Sequence, residues 1–297
     1  MMIEPQVFLG DCLDLLDTIE DDSISAMISD IPYGINLDDW DVLHRNTNNA
    51  LLTDQEEQGT AFKKRGKPLN GWSASDKSTG EEYEEWCQKW VAKSYPKLKS
   101  GSYALIFSSR RNIHHVINAF QKEDFIFRDI ISWEKPSAHH RAQQVSKIFS
   151  KRNDSENAEM WEGWRIGNLA PMWEPILVFM KSYPIGSTLT DCIRDNEVGA
   201  MDTRVLSKNI IKSGFSKQEQ KIHEAQKPIG LIETLVKLVT KENQIVLDPF
   251  LGSGTTAEAC LWLNRHCVGF EKNEHYFNAL SKRLEHAKKS KEMSLFL

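Results

Sequence analysis

Residues 244–271 read QIVLDPFLGSGTTAEACLWLNRHCVGFE: an apolar strand, a turn carrying Gly252 and Gly254, a helix opened by Thr255 and Thr256, and a second strand ending on Glu271. Two strands joined through a helix run parallel, and parallel sheets are covered on both faces, so this unit predicts an α/β domain. The same alternation continues outward. Apolar runs at 6–11 (QVFLGD), 25–30 (SAMISD), 102–109 (SYALIFSS), 125–133 (FIFRDIISW) and 174–180 (EPILVFM) read as further strands. EEYEEWCQKWVAKSYPKL and PIGLIETLVKLV space their apolar residues by three and four, as amphipathic helices do. Pro228 suits the first helical position, where its missing N–H costs nothing. The rhythm breaks at about 36–80 and 182–226, both polar, and loops of that length in a compact domain are usually functional or disordered. The expected organisation is one domain over 1–297 with these two stretches as insertions.

An apolar content of 40% over 297 residues is enough for one large core without covalent staples. The five cysteines (Cys12, Cys87, Cys192, Cys260, Cys267) are odd in number and never form C-x-x-C, which predicts free thiols and no zinc. Adjacent pairs His114–His115 and His139–His140 point their rings apart and read as ordinary polar positions, so no metal is expected. Trp161, Trp164 and Trp173 read as partly buried packing residues rather than a lining for nucleic acid. Neither a leader sequence nor a run long enough to span a bilayer is evident, which predicts a cytoplasmic protein without membrane contact. The net charge of −5 is unevenly spread. The first sixty residues are acidic, whereas positive charge gathers at Lys63, Lys64, Arg65 and Lys67, and again at Arg204, Lys208, Lys212, Lys217, Lys221 and Lys227. A polyanionic partner therefore stays open despite the acidic total.

At the turn, Gly252 and Gly254 let the backbone approach a ligand at the carboxyl end of the strand, and the helix N-terminus behind them favours anionic groups. Glu271, seventeen residues past Gly254, is placed to accept hydrogen bonds from both hydroxyls of a ribose. Asp248 stands just before the turn, where a carboxylate can face a cationic group. No lysine follows the glycines, so a phosphate-binding loop for a nucleoside triphosphate is disfavoured. In SAMISDIPYG, Asp30, Pro32 and Tyr33 directly follow another apolar strand, again where open α/β sheets bind ligands.

These strings carry a family resemblance. DPFLGSGTT resembles the D-P-F-x-G-S-G-T signature of amino-methyltransferases, and Asp30-Ile31-Pro32-Tyr33 resembles their D-P-P-Y tetrad, with Ile31 replacing the first proline. FLGDCLDLL is similar to the family's G-D loop and AQKPIGLIETL to its K-P helix. The catalytic tetrad comes before the cofactor loop, which is the circularly permuted order of the beta class of S-adenosylmethionine-dependent amino DNA methyltransferases, acting on adenine N6 or cytosine N4. The resemblance covers roughly 6–35, 82–135, 173–181 and 226–290.

The resemblance implies a Rossmann-like α/β fold with a mostly parallel sheet, helices on both faces and variable insertions that meet double-stranded DNA. It implies that S-adenosylmethionine is held by Asp248, Phe250, Gly252, Ser253, Gly254, Thr255, Thr256 and Glu271, with Asp11 and Cys12 near its adenine and Lys227 near its methionine end. Asp30 and the Ile31 carbonyl would hold the two amino hydrogens of a flipped base, and Tyr33 would stack on it. No Pro-Cys pair exists for attack on cytosine carbon 5. In this class the adenine enzymes tend to carry Asp at the first tetrad position and the N4-cytosine enzymes Ser. Pro32-Tyr33 fixes the register, so Asp30 and not Ser29 fills that position, and adenine is favoured over cytosine. An inactive cofactor-sensing DNA-binding protein is the rival of another class. The stretch 182–226, with Arg204, Lys208, Lys212, Lys217 and Lys221, is the expected DNA-contacting and target-recognition segment. A homodimer and a separate restriction endonuclease stand as candidate partners.

Overall fold

The computed structural model describes residues 4–33, 74–138, 143–166, 169–216, 219 and 226–294. The cluster at 63–67, His139–His140, Lys217, Lys221 and most of the 36–80 stretch lie outside the described residues. In chain order the elements are β1 (Gln6–Leu9), α1 (Cys12–Leu15), β2 (Ile24–Asp30), α2 (Ala74–Ser94), β3 (Leu98–Phe107), α3 (Ile113–Lys122), β4 (Phe125–Glu134), β5 (Gln143–Gln144), α4 (Val145–Ser150), α5 (Ser155–Met160), β6 (Arg165–Ile166), β7 (Trp173–Lys181), α6 (Leu189–Asn196), β8 (Ile210–Lys212), α7 (Ile229–Val239), β9 (Ile245–Asp248), α8 (Thr255–Trp262), β10 (His266–Glu271) and α9 (Glu274–Ser294).

All seven strands read from the sequence are present. Together with β8 they form an eight-stranded sheet of order β1-β10-β9-β2-β3-β7-β4-β8, parallel except that β7 runs opposite to both its neighbours. The sequence did not reveal that reversal, because seven of the nine residues of β7 are buried and it reads as the same unbroken apolar run as a parallel strand. Helices α7, α8 and α9 cover one face through Leu231, Leu235, Ala257 and Leu280; α1, α2 and α3 cover the other through Cys12, Trp90, Val116 and Phe120.

Several boundaries differ from expectation. Helix α2 begins at Ala74, inside the stretch read as a polar insertion up to 80. Pro228 is the cap of α7 in extended conformation (ψ 136°), one residue before the first helical position. The 182–226 stretch carries α6 and β8, and the connection between β4 and β7 carries a small unit of β5, α4, α5 and β6. Trp161 and Trp164 belong to that unit and are exposed, correcting the packing assignment, whereas Trp173 is half-buried at the start of β7.

The chain positions its site through one neighbour relation. From β9 it passes through α8 to β10 on one side, and from β2 through α2 to β3 on the other, yet β9 and β2 lie side by side. The two connections leave in opposite directions, so a crevice opens at the carboxyl ends of these two strands. Gly269 of β10 permits the close fit of the turn there, since a Cβ would meet the Asp248 carbonyl at 2.7 Å. On the α2–α3 face, Phe120 stacks on Phe179 of β7 with centroids 4.0 Å apart and planes at 11°. Phe120→Ala should therefore cost about 3–5 kcal/mol, read as a lowered midpoint in urea unfolding with an unchanged slope.

Candidate active site

At the end of β9, Asp248 turns inward and is 2% exposed. Its Oδ1 accepts from Ser29 Oγ at 2.6 Å and from the Phe250 amide at 3.1 Å, and the Thr256 hydroxyl is a further partner. Burial pushes its pKa up to about 6 against these hydrogen bonds. The carboxylate thus organises the turn in addition to lining the cleft above it. Glu271, half-buried, accepts the Gly252 amide at 2.8 Å on one oxygen and the Asn273 amide at 2.7 Å on the other, so β10 and the glycine turn are held at fixed spacing. Gly252 and Gly254 both take positive φ, 51° and 75°, and nothing lies within 4 Å of a Cβ added to Gly252. The backbone is therefore open to close approach by a ligand there.

Arg283 of α9 reaches under the turn. It donates to the Ser253 carbonyl at 3.2 Å and to Thr255 Oγ1 at 3.1 Å, and is paired with Glu258. Asp11 caps α1 through the Leu13 amide and pairs with Lys272 at 2.8 Å. Cys12 beside it has its thiol pushed up to about 12 by burial and by the Asp11 charge, so it carries no thiolate at neutral pH. Asp11, Cys12, the glycine turn, Glu271 and the tetrad residues all line one cleft of about 440 Å³, which Trp86 and Tyr276 help to close.

At the end of β2, Asp30 Oδ2 receives Lys227 Nζ at 2.5 Å. Its other oxygen, Oδ1, is buried with no hydrogen-bond partner among the described residues. Burial raises the Asp30 pKa, and the Lys227 charge opposes that rise. The same ammonium lies 3.7 Å from Glu174 Oε2 and 5.4 Å from the Tyr33 ring centroid. Lys227, expected at the methionine end of a cofactor, lines the cleft and places its charge on the Asp30 carboxylate. Tyr33 donates to Glu174 Oε2 at 3.2 Å, while Lys135 pairs with the other Glu174 oxygen. Although burial alone would raise it, Lys227 and Lys135 hold the Glu174 carboxyl below its ordinary value.

Two further residues fix the loop from α2 and α3. Tyr83 donates to the Pro32 carbonyl at 2.6 Å, and Asn112 Nδ2 to the Tyr33 carbonyl at 2.7 Å. Ile31 is 2% exposed, with its side chain in the core formed by Cys12, Leu16 and Trp90. No sequence pattern signals the roles of Tyr83, Asn112, Lys135, Trp86 or Arg283. For Glu174 the signal is an acid opening an otherwise apolar strand.

The remaining expected positions are more scattered. Lys212 ends β8 and pairs with Glu134 at 3.2 Å. Arg204 pairs with Asp202, whose amide bonds the Leu238 carbonyl at the far end of α7, near the amino ends of the strands and away from the cleft.

A glycine turn and an Asp-x-Pro-Tyr loop meeting at the switch point of this sheet define a Rossmann-like methyltransferase that uses S-adenosylmethionine. The chain belongs to the DNA methylase family, whose model matches residues 24–282. It is 45% identical over 291 residues to the Type II methyltransferase M.HindIII of Haemophilus influenzae, covering 94% of each chain. Among solved structures it is similar in fold to the PvuII DNA methyltransferase (cytosine-N4-specific), with a TM-score of 0.61 and 17% identity over 97% of this chain and 92% of that one. The M1.HpyAVI–SAM complex matches with a TM-score of 0.56 and 20% identity, over 94% and 98% of the two chains. Among the described residues no helix is long and apolar enough to cross a membrane.

The buried Asp248 carboxyl gives a pH signature. In the folded chain it takes up a proton near pH 6. Unfolded, it does so near the ordinary value of about 3.9. The native state therefore binds more protons between these values, and stability falls as pH rises through the window. Relative to Asp248→Asn, the parent chain should gain about 1.4 kcal/mol per pH unit as pH drops from about 6 toward 4. Paired urea titrations across that range test this, and a difference that stays flat contradicts it.

Proposed function

We propose that the chain methylates the exocyclic N6 of adenine at a specific site in duplex DNA, on a base flipped into the cleft. The observation that carries this reading is Asp30 Oδ1, a buried carboxylate oxygen without a partner among the described residues, at the edge of the cofactor cleft. An unsatisfied buried acceptor costs free energy, and an amino hydrogen supplied by the substrate offsets it. The residues also fit the donor. The open face at Gly252, the Glu271 carboxylate and the aromatic wall at Trp86 suit the amino-acid, ribose and adenine parts of S-adenosylmethionine.

When bound, the cofactor supplies a methyl group already activated by its sulfonium. An exocyclic amino group is a poor nucleophile because its lone pair is delocalised into the ring, so orientation is the chief service of the protein. Asp30 Oδ1 and the Ile31 carbonyl accept the two amino hydrogens, which turns the lone pair toward the methyl. Tyr33, held by Glu174 and Asn112, offers its ring for stacking, and Lys227 favours the ionised form of Asp30. Adenine is favoured over cytosine because Asp30 faces the site while Ser29 Oγ is committed to Asp248.

The same reading keeps one catalytic domain with insertions. Lys212 is the member of the basic stretch best placed to meet a DNA phosphate, with Lys217 and Lys221 following it in the chain. It sets the chain in the cytoplasm beside a separate restriction endonuclease, in keeping with the Type II designation of its relative, and leaves a homodimer to be tested by sedimentation.

Asp30→Ala should lower single-turnover methylation of duplex DNA by about a hundred- to a thousand-fold, the loss of roughly 3–4 kcal/mol of transition-state stabilisation, with cofactor affinity retained. Asp30→Asn keeps one acceptor and should retain more activity. Serine at each of the five cysteines should leave the chemical step intact. Near-normal turnover by Asp30→Ala overturns the assignment of the acceptor. N4-methylcytosine as the product overturns the choice of base, and no transfer by the parent chain favours a cofactor-sensing binder.

A further inference from the structure

The unit formed by β5, α4, α5 and β6 has no role in the site described so far. Neither α4 nor α5 has a buried residue, so the unit contributes nothing to the core. It nevertheless exposes large apolar side chains: Trp164 is 61% exposed, Ile166 58%, and Leu169, just beyond β6, 84%. Trp161 packs edge-on against Trp164 at 5.4 Å. Exposed apolar groups of this size gathered on one small element mark a contact surface. Its charges are sorted by element. Lys147 and Lys151, one helical turn apart, lie on or just past α4 with Arg152 beside them, and Arg165 lies between Trp164 and Ile166; the acids Glu156 and Glu159 lie on α5, with Glu162 just past it.

Its position is set by the catalytic residues themselves. Lys135, the first residue of the connection, pairs with Glu174, which receives the Tyr33 hydroxyl and lies 3.7 Å from Lys227. The Lys135 amide donates to the Met172 carbonyl at 2.8 Å, closing the neck of the connection directly beside the tetrad. Trp133 Nε1 donates to the Ser213 carbonyl at 2.9 Å, so the chain leaving β8 past Lys212 emerges alongside.

We infer that this unit, between Gln143 and Ile166 with Leu169 beyond it, is a surface that reads the DNA duplex around the target base, in addition to any phosphate contact from Lys212. This rests on the reading of the chain as a DNA methyltransferase. A duplex whose base enters the cleft at Tyr33 must lie across the carboxyl edge of the sheet, where the neck of the unit is anchored. The basic groups of α4, with Arg165, meet phosphates. The apolar group at Trp164, Ile166 and Leu169 meets the base edges and sugars in a groove. A second copy of the chain is the competing occupant, and the chemistry at the neck favours DNA, since contact there is coupled to the tetrad through Lys135.

The test uses the full chain with duplexes that do or do not contain its methylation site, the cofactor being present. Trp164→Ala with Leu169→Ala should lower the ratio of kcat/KM between the two duplexes at least tenfold while cofactor affinity and the unfolding midpoint hold. Lys147→Ala with Lys151→Ala should reduce the slope of log affinity against log salt by about 0.9 for each phosphate that the variant no longer neutralises. Arg204→Ala, remote from the carboxyl edge, should change neither. Unchanged discrimination and salt slope in both double variants, with the parent still methylating DNA, overturns the inference alone. So does a Trp164→Ala, Leu169→Ala variant that turns a dimeric parent monomeric yet reads DNA as before. A parent that methylates no DNA removes the functional reading and the inference with it.

Discussion

A hydrogen bond of 2.6 Å from Ser29 to Asp248 joins two segments 219 residues apart, and the site depends on it. It ties the end of β2 to the residue that opens the glycine turn, with Ser29 fully buried and Asp248 nearly so. Strand alternation does the rest. Because neighbouring side chains point to opposite faces, sending Ser29 toward Asp248 turns Asp30 the other way, toward Lys227 and Glu174. One contact thus sets the distance between the two halves of the cleft and the direction of Asp30. It also shows why the order of motifs along the chain is immaterial to the chemistry: β9 and β2 are neighbours in the sheet, whichever is made first.

Around Asp30 the protein assembles an unusual density of buried charge. Two carboxylates, Asp30 and Glu174, face two ammonium groups, Lys227 and Lys135, so the set is neutral as a whole. Desolvating four charges is costly, and such a network is poor as a source of stability. Its value lies in orientation. Glu174 and Lys227 each have more than one partner, and Tyr33 is bound into the same network through Glu174, so the Tyr33 ring and the Asp30 carboxylate are positioned together. Ile31 in the place of a proline loses nothing by this arrangement. The loop is held by the burial of its own side chain and by hydrogen bonds from Tyr83 and Asn112 to the next two carbonyls.

What is legible in the sequence is what local chemistry dictates. Strand runs, the glycine turn with its positive φ, Glu271 at the tip of β10 and the register of Asp30 against Pro32 and Tyr33 are properties of a few consecutive residues, and the structure has each in place. The partners of those residues are not legible. Tyr83, Asn112, Glu174 and Arg283 come from other elements, and an isolated tyrosine or asparagine in a helical segment looks the same whether it bonds a catalytic loop or water. Trp164 misleads for a related reason: a tryptophan is more often packed than exposed, and only the absence of a core beneath it tells otherwise.

The direction of β7 decides which insertion can meet DNA, and no periodicity in the sequence announces it. In a parallel sheet a strand delivers its chain to the carboxyl edge and the following helix returns it to the amino edge. Strand β4 delivers its chain to the carboxyl edge as usual, but β7 starts there instead of ending there. Both ends of the connection between them are therefore anchored at the active-site edge. The stretch after β7 has the opposite fate. It leaves from the amino edge, where Asn196 bonds the Ser100 carbonyl at the start of β3 and Asp202 bonds the end of α7, and it returns to the active-site side only at β8. Lysines and arginines draw attention to the 182–226 stretch, yet its six are matched by six acids, whereas the connection from β4 to β7 sets six against four, and the one reversed strand anchors that connection at the active-site edge at both of its ends.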